Sequence, residues 1–216
     1  MGIDEQTDRM RSACIQQNRS ILTSITKTIL LAGKQNIALR GHRDDSKYYL
    51  STNPGNFQSL LDFRVDAGDE TLQRHFESGN KNATYRSKTI QNKLIKVSGD
   101  QIRDKIVAEI NNSNCPIYSV LGDEATDCDS KEQMSIVLRY VDSKKEINER
   151  FIKFVECKGV TGEALANNIE GTLQEVGLPL SNLRGQGYDG ASAMSSQTKG
   201  VSGRILEKNS KALYVH

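Results

Sequence analysis

Tryptophan is absent from this 216-residue chain and proline occurs three times, so neither a Trp-anchored interface nor a proline-rich linker is encoded. Long apolar runs are missing as well. The longest, Ile29-Leu30-Leu31-Ala32, falls far short of the ~20 residues that a membrane-spanning helix needs. Residues 1–11 are polar and lack the apolar core of a secretory signal. The four cysteines, Cys14, Cys115, Cys128 and Cys157, lie far apart, with no Cys-x-x-Cys pair and no histidine at ligand spacing. That pattern argues against a zinc module and reads as reduced thiols of a cytosolic or nuclear protein. An excess of one charge is lacking too. Lys and Arg number 29 against 27 Asp and Glu, a formal +2, which permits nucleic-acid contact without arguing for it. Hydrophobic residues make up only 36%, so the core is modest and much helical surface is solvated. These features predict a soluble, intracellular protein with no membrane partner.

What is present divides into two halves of different period. From Arg9 to about Asn112 the apolar residues recur at helical spacing. Ile21, Leu22, Ile25, Ile29 and Leu30 form one stripe, ended by Gly33 or extended to Leu39. Gly41-His42-Arg43-Asp44-Asp45 reads as a turn and 52–56 as a loop. Asn56 is the expected N-cap of a helical segment running from Phe57 to Phe76. Gly79-Asn80-Lys81-Asn82 breaks the chain, a helix starts near Ser87, and a separate one follows Ser98-Gly99-Asp100. Residues 1–112 are therefore expected to form a helical N-terminal region.

Over 113–216 the pattern turns to strands. Residues 117–121 are expected to be a strand buried on both faces, 134–141 a second, and 150–155 a third, more alternating and so nearer an edge. Short polar loops between them predict an antiparallel meander. An amphipathic helix over 162–176 carries Leu165, Ile169, Leu173 and Val176 on one face. A strand over 183–188, a helix from Ala191 to about Lys208 and a strand over 212–215 complete the order. That order, βββαβαβ, predicts an α/β fold with an incomplete RNase H-like mixed sheet behind the helical region.

In this topology the first and fourth strands are neighbours, and each ends near an acid, Asp123 and Asp189. Two carboxylates brought together repel unless a cation lies between them. Mg²⁺ or Mn²⁺ suits such a pair, because it accepts a few carboxylates and keeps waters for a phosphate substrate. Asp123 and Asp189 are thus the candidate catalytic and metal-binding residues. The alternative is that both are turn or cap residues, Asp189 as the N-cap of the helix beginning at Ala191. Asp127 and Asp129 compete for the first position from a turn beyond the strand, and Glu124 faces the other side if the strand continues. Lys81, Arg86, Lys88, Lys93 and Lys96 form a basic stretch that is either a nucleic-acid contact or a solvated helix face. His42 reads as a turn residue, His75 as a helix-interface residue, and Tyr48 and Tyr49 as packing residues. Gly185-Gln186-Gly187 is followed by no nucleotide-binding motif; its glycines are expected to let the fourth strand pass close to its neighbours.

Leu121-Gly122-Asp123-Glu124-Ala125-Thr126-Asp127 and Gly187-Tyr188-Asp189-Gly190-Ala191-Ser192-Ala193-Met194 resemble the first- and second-aspartate strands of the hAT superfamily of DNA transposases. More narrowly, the chain is similar to their domesticated MYM-type zinc-finger-like and THAP-repressor-like relatives. Residues 39–44 and 53–57 resemble the helical region that precedes the core in that subgroup. The resemblance implies a nuclear, DNA-associated protein whose ancestor performed metal-dependent strand cleavage and transfer. It also implies a third acid, a glutamate, beyond His216, so that this chain alone is inactive. Ala125 stands where active transposases often carry Trp. The competing expectation is a non-catalytic nucleic-acid-binding or protein-interaction module of a transcriptional regulator. A sheet ending at its fifth strand leaves an edge and an apolar face uncovered, which predicts poor solubility or self-association of the isolated chain; protein partners or a homo-oligomer are expected alongside DNA for the full-length parent.

Overall fold

The computed structural model describes residues 3–41, 54–78, 83–126 and 129–215. The expected turn at 41–45 beyond Gly41, the break at 79–82, His42, Tyr48, Tyr49, Lys81, Asp127 and Cys128 lie outside the described residues. The chain divides into two compact units, Met1–Gly99 and Asp100–His216.

The first unit is helical: α1 (Ile3–Lys34), α2 (Asn56–Asp66), α3 (Glu70–Ser78) and the start of α4 (Lys88–Asn111). Its core is built from Ile21, Ile25 and Ile29 of α1, Phe57 and Leu61 of α2, and Leu72 of α3. The α1 residues recur every four positions, one stripe on one helix face. The expected Phe57–Phe76 segment is two helices: α2 stops at Asp66, Gly68 turns the chain with φ +94°, and Asp69 leads into α3. Its Oδ1 accepts the Leu72 N–H at 3.1 Å and so caps α3. Its Oδ2 accepts from Arg64 Nη2 at 2.7 Å and from the Ser24 hydroxyl. Arg64 in turn donates to the Ser24 carbonyl at 2.7 Å and to the Thr28 hydroxyl at 3.2 Å, tying α2 and α3 to α1. Asn56 is the first helical residue of α2 and not its cap. The cap is Gly55, and the Asn56 amide donates to the Ala38 carbonyl at 2.7 Å.

α4 is one helix of 24 residues, although a break at Ser98-Gly99-Asp100 was expected. A lone glycine inside a helix costs only about 1 kcal/mol relative to alanine, and the flanking periodicity overrides it.

The second unit holds a five-stranded sheet in the order β3-β2-β1-β4-β5. Its strands are β1 (Tyr118–Thr126), β2 (Glu132–Val141), β3 (Ile147–Glu156), β4 (Leu183–Gly187) and β5 (Leu213–Val215). β1, β2 and β3 pair antiparallel, and β4 pairs parallel with both β1 and β5. This is the helical-region-plus-mixed-sheet architecture expected from the sequence. One face carries the core: Tyr118 and Val120 of β1 and Met134, Ile136 and Leu138 of β2 meet Leu165, Ile169 and Leu173 of α5 (Gly162–Glu175). Thr161 caps α5 by accepting the Ala164 N–H at 3.2 Å. Val201 and Ile205 of α7 (Val201–Lys208) complete the layer.

β1 alternates and is not buried on both faces: Tyr118, Val120 and Gly122 are buried, whereas Asp123 is exposed. The opposite face of the sheet is open. A bulge at Ile152 shifts the β2–β3 register, so that Phe151 faces Val137 and Phe154 faces Ser135, and both rings come out on that open face, 4.8 Å apart. They are 49% and 60% exposed. The single helix expected over 191–208 is two pieces, α6 (Ser192–Ser195) and α7. Serines compete for the backbone in the gap, as the Ser202 hydroxyl donates to the Ser195 carbonyl at 3.0 Å.

The Ser24–Arg64–Asp69 triad sets the acid limit of the helical unit. Burial raises the Asp69 pKa, but bonds from Ser24, Leu72 and Arg64 outweigh it and hold the carboxyl below its ordinary value. A depressed carboxylate stabilises above its unfolded pKa and stops doing so as pH falls through the folded one. Denaturant melts of Asp69→Ala at pH 7 are expected to show a loss of about 2 kcal/mol. The difference from wild type should shrink as pH drops below about 4.

Candidate functional site

β1 extends to Thr126, past the strand end expected at Leu121, so Asp123 lies within the strand, opposite Ser135 of β2. Strand alternation sets its side chain on the open face with Ser119 and Leu121. The Ser135 hydroxyl donates to the Asp123 main-chain carbonyl at 3.2 Å. Among the described residues no hydrogen bond reaches the Asp123 carboxylate.

Asp189 lies two residues beyond β4. It is not a helix cap, since Ala191 holds that place for α6. Its Oδ1 accepts the Ala191 N–H at 3.3 Å, closing a turn on its own backbone. The Tyr214 hydroxyl of β5 donates to the Asp189 carbonyl, also at 3.3 Å.

The two aspartates line one hollow of about 500 Å³ on the open face, with Ser119, Arg139, Gly187 and Val215 among the other walls. What brings them together is the parallel β1–β4 ladder, with Ser119 opposite Gly185 and Leu121 opposite Gly187. A Cβ at Gly185 would stand 2.6 Å from the Ser119 Oγ, and one at Gly187 2.7 Å from a Leu121 methyl. The glycines therefore do allow the close passage inferred from the sequence.

Glu124 points to the core side. Its Oε1 is enclosed and has no hydrogen-bond partner. Burial, then the charges of Asp189, Glu132 and Asp123, push its carboxyl above the ordinary value. Asp129 is exposed beyond the strand. Among the described residues no three His, Cys, Asp or Glu side chains group as a cation cage.

The described residues of the basic stretch differ in their surroundings. The Arg86 guanidinium pairs with Asp62 at 2.5 Å and lies 3.9 Å from the centre of the Phe76 ring. Lys88, Lys93 and Lys96 are exposed along the first half of α4. His75 stacks on Tyr85 with ring centres 5.5 Å apart, an interface role. Sequence reasoning missed Ser119 and Arg139 as walls of the hollow. Their parity with Asp123 in β1, and with Ser135 in β2, is the signal that marks them.

The raised Glu124 pKa has a signed consequence. A carboxyl whose pKa rises on folding costs stability once pH climbs through the folded value. In metal-free buffer Glu124→Gln is expected to melt higher than wild type at pH 7. That gain should vanish near about pH 4, where the wild-type side chain is protonated in both states. Melting curves across that range check it.

No helix among the described residues is long and apolar enough to cross a membrane. Residues 1–200 match the model of the DUF4371 family, described as ZMYM1/FAM200, RNase-like domain. The chain is 33% identical over 200 residues to the human protein named 52 kDa repressor of the inhibitor of the protein kinase, and equally to its mouse counterpart. The match takes in 92% of this chain and 26% of each relative, so the chain spans about a quarter of their length. A helical region leading into a five-stranded mixed sheet, matched over nearly its whole length, makes this chain a member of the DUF4371 family of RNase-like domains.

Proposed function

We infer that this chain is an RNase H-like domain of hAT transposase descent, kept as part of a nuclear regulator that engages DNA. Asp123 and Asp189 are its two-carboxylate seat for Mg²⁺ or Mn²⁺. The observation that carries the reading is the lining of one open hollow by both aspartates where β1 and β4 run side by side. The donor set fits the ion: two hard oxygen groups, no soft ligand among the named walls, and room left for water and phosphate oxygens. A bound divalent cation supplies charge neutralisation at a phosphate. Asp123 and Asp189 hold it by their carboxylates. The Ala191 N–H and the Tyr214 hydroxyl keep the Asp189 turn in place, and Arg139 adds a positive charge at the rim. Lys88, Lys93 and Lys96 are exposed cations of the kind that contact a nucleic-acid backbone.

Regulation is favoured over strand cleavage because the relatives carry the name of a repressor. The exposed Phe151 and Phe154 support a protein partner, or a second copy of the chain, on the open face.

Calorimetric titration of Mn²⁺ tests the seat. Asp123→Asn and Asp189→Asn are each expected to bind about tenfold more weakly than wild type, a loss of about 1.4 kcal/mol. Equal binding by all three proteins would overturn the shared site. Supercoiled plasmid incubated with the chain and Mg²⁺ or Mn²⁺ is expected to stay intact. Cleavage that depends on metal and disappears in Asp189→Asn would replace the regulatory reading with a nuclease.

A further inference from the structure

Asp189 is exposed and lies outside any regular element, yet the residue before it is buried. Tyr188 is 6% exposed, and its hydroxyl finds no hydrogen-bond partner among the described residues. A polar tip left unpaired in a buried place means that packing, not hydrogen bonding, holds this side chain. The packing partner is Gly122, the residue before Asp123. A Cβ built on Gly122 would meet the Tyr188 ring carbons at 3.3 and 3.4 Å. The ring also stacks on Tyr214, with centres 6.1 Å apart and planes 20° apart. Tyr214 in turn holds the Asp189 carbonyl.

Each acid of the hollow is thus preceded by one member of a size-matched pair: no side chain on β1, a large ring after β4. We propose that Tyr188 is a positioning residue, whose ring, seated against the bare backbone of Gly122, fixes where the chain leaving β4 delivers the Asp189 carboxylate relative to Asp123. The claim deepens the two-carboxylate reading and rests on it for its consequence, but the positioning itself exists without any cation. It assigns the ring, and not the hydroxyl, as the working part.

NMR of the metal-free protein tests it, following the amides of 189–191 and the Asp189 side-chain carboxyl carbon. Tyr188→Phe keeps the ring and is expected to leave these signals in place. Tyr188→Leu and Gly122→Val are each expected to shift them and to lower their order parameters. The double variant, in which the valine fills the space the ring vacates, is expected to recover part of both. Should Gly122→Val fail to fold, Gly122→Ala makes the same test, because it asks the ring to give by only a few tenths of an ångström.

Unchanged Asp189 signals in Tyr188→Leu, or an equal disturbance by Tyr188→Phe, would overturn the proposal. Mn²⁺ titration of the same proteins then reads the consequence, with about fivefold weaker binding expected for Tyr188→Leu and none for Tyr188→Phe. If the signals move as expected while Asp123→Asn and Asp189→Asn bind Mn²⁺ like wild type, the cation seat falls and the positioning role stands. If those two lose binding and the Tyr188→Leu signals stay put, only the positioning role falls.

Discussion

The parallel ladder between β1 and β4 joins two stretches of chain that the meander and α5 separate, and both acids of the hollow take their places from it. Parallel neighbours need a long crossover, and here α5 supplies it while burying Leu165, Ile169 and Leu173 against the same strands. The covered face of the sheet therefore secures the geometry of the open one. Gln186 adds to this from within β4, since its amide donates to the Ser202 and Ala212 carbonyls at 3.0 and 2.8 Å, fastening the strand to α7 and to the start of β5.

The chain uses carboxylates in two opposite ways. Asp69 is wholly engaged, accepting from a hydroxyl, a guanidinium and a backbone N–H, and its charge is balanced where it lies. Asp123 has no such company among the described residues and faces solvent from a strand otherwise committed to packing. A satisfied acid joins helices; an unsatisfied one, with Asp189 beside the same hollow, leaves bonding capacity for something else. Arg86 makes the same distinction among the cations. It lies in the stretch that reads as a nucleic-acid contact, but its guanidinium is engaged by Asp62 and Phe76.

Much of the sheet was legible because its apolar runs are bounded by turns. β2 and α5 fall within two residues of their expected limits, and the neighbouring of β1 and β4 follows from element order alone. The errors have physical causes. Ser98-Gly99-Asp100 reads as a helix stop, but each residue there costs little, and the apolar period on either side carries α4 through. Asp69 lies within the long helical segment read from the spacing, and the partners of its second carboxylate oxygen come from α1 and α2. The serines between α6 and α7 were hidden by good helical spacing around them. As for the hollow, its two acids were singled out as strand-end residues, although β1 runs on past Asp123 to Thr126. The Tyr188–Gly122 contact was not, since nothing in either local sequence refers to the other.

The bulge at Ile152 carries a consequence for how such molecules can meet. A strand with an extra residue in its ladder bends, and its free N–H and C=O groups no longer run in even register. β3 is one border of the sheet, and the other, β5, is three residues long. The β3 border thus offers no straight template for another chain to extend the sheet hydrogen bond by hydrogen bond, the growth mode of fibrils. Its bend instead turns out the Phe151–Phe154 pair, an apolar surface of limited size on the open face.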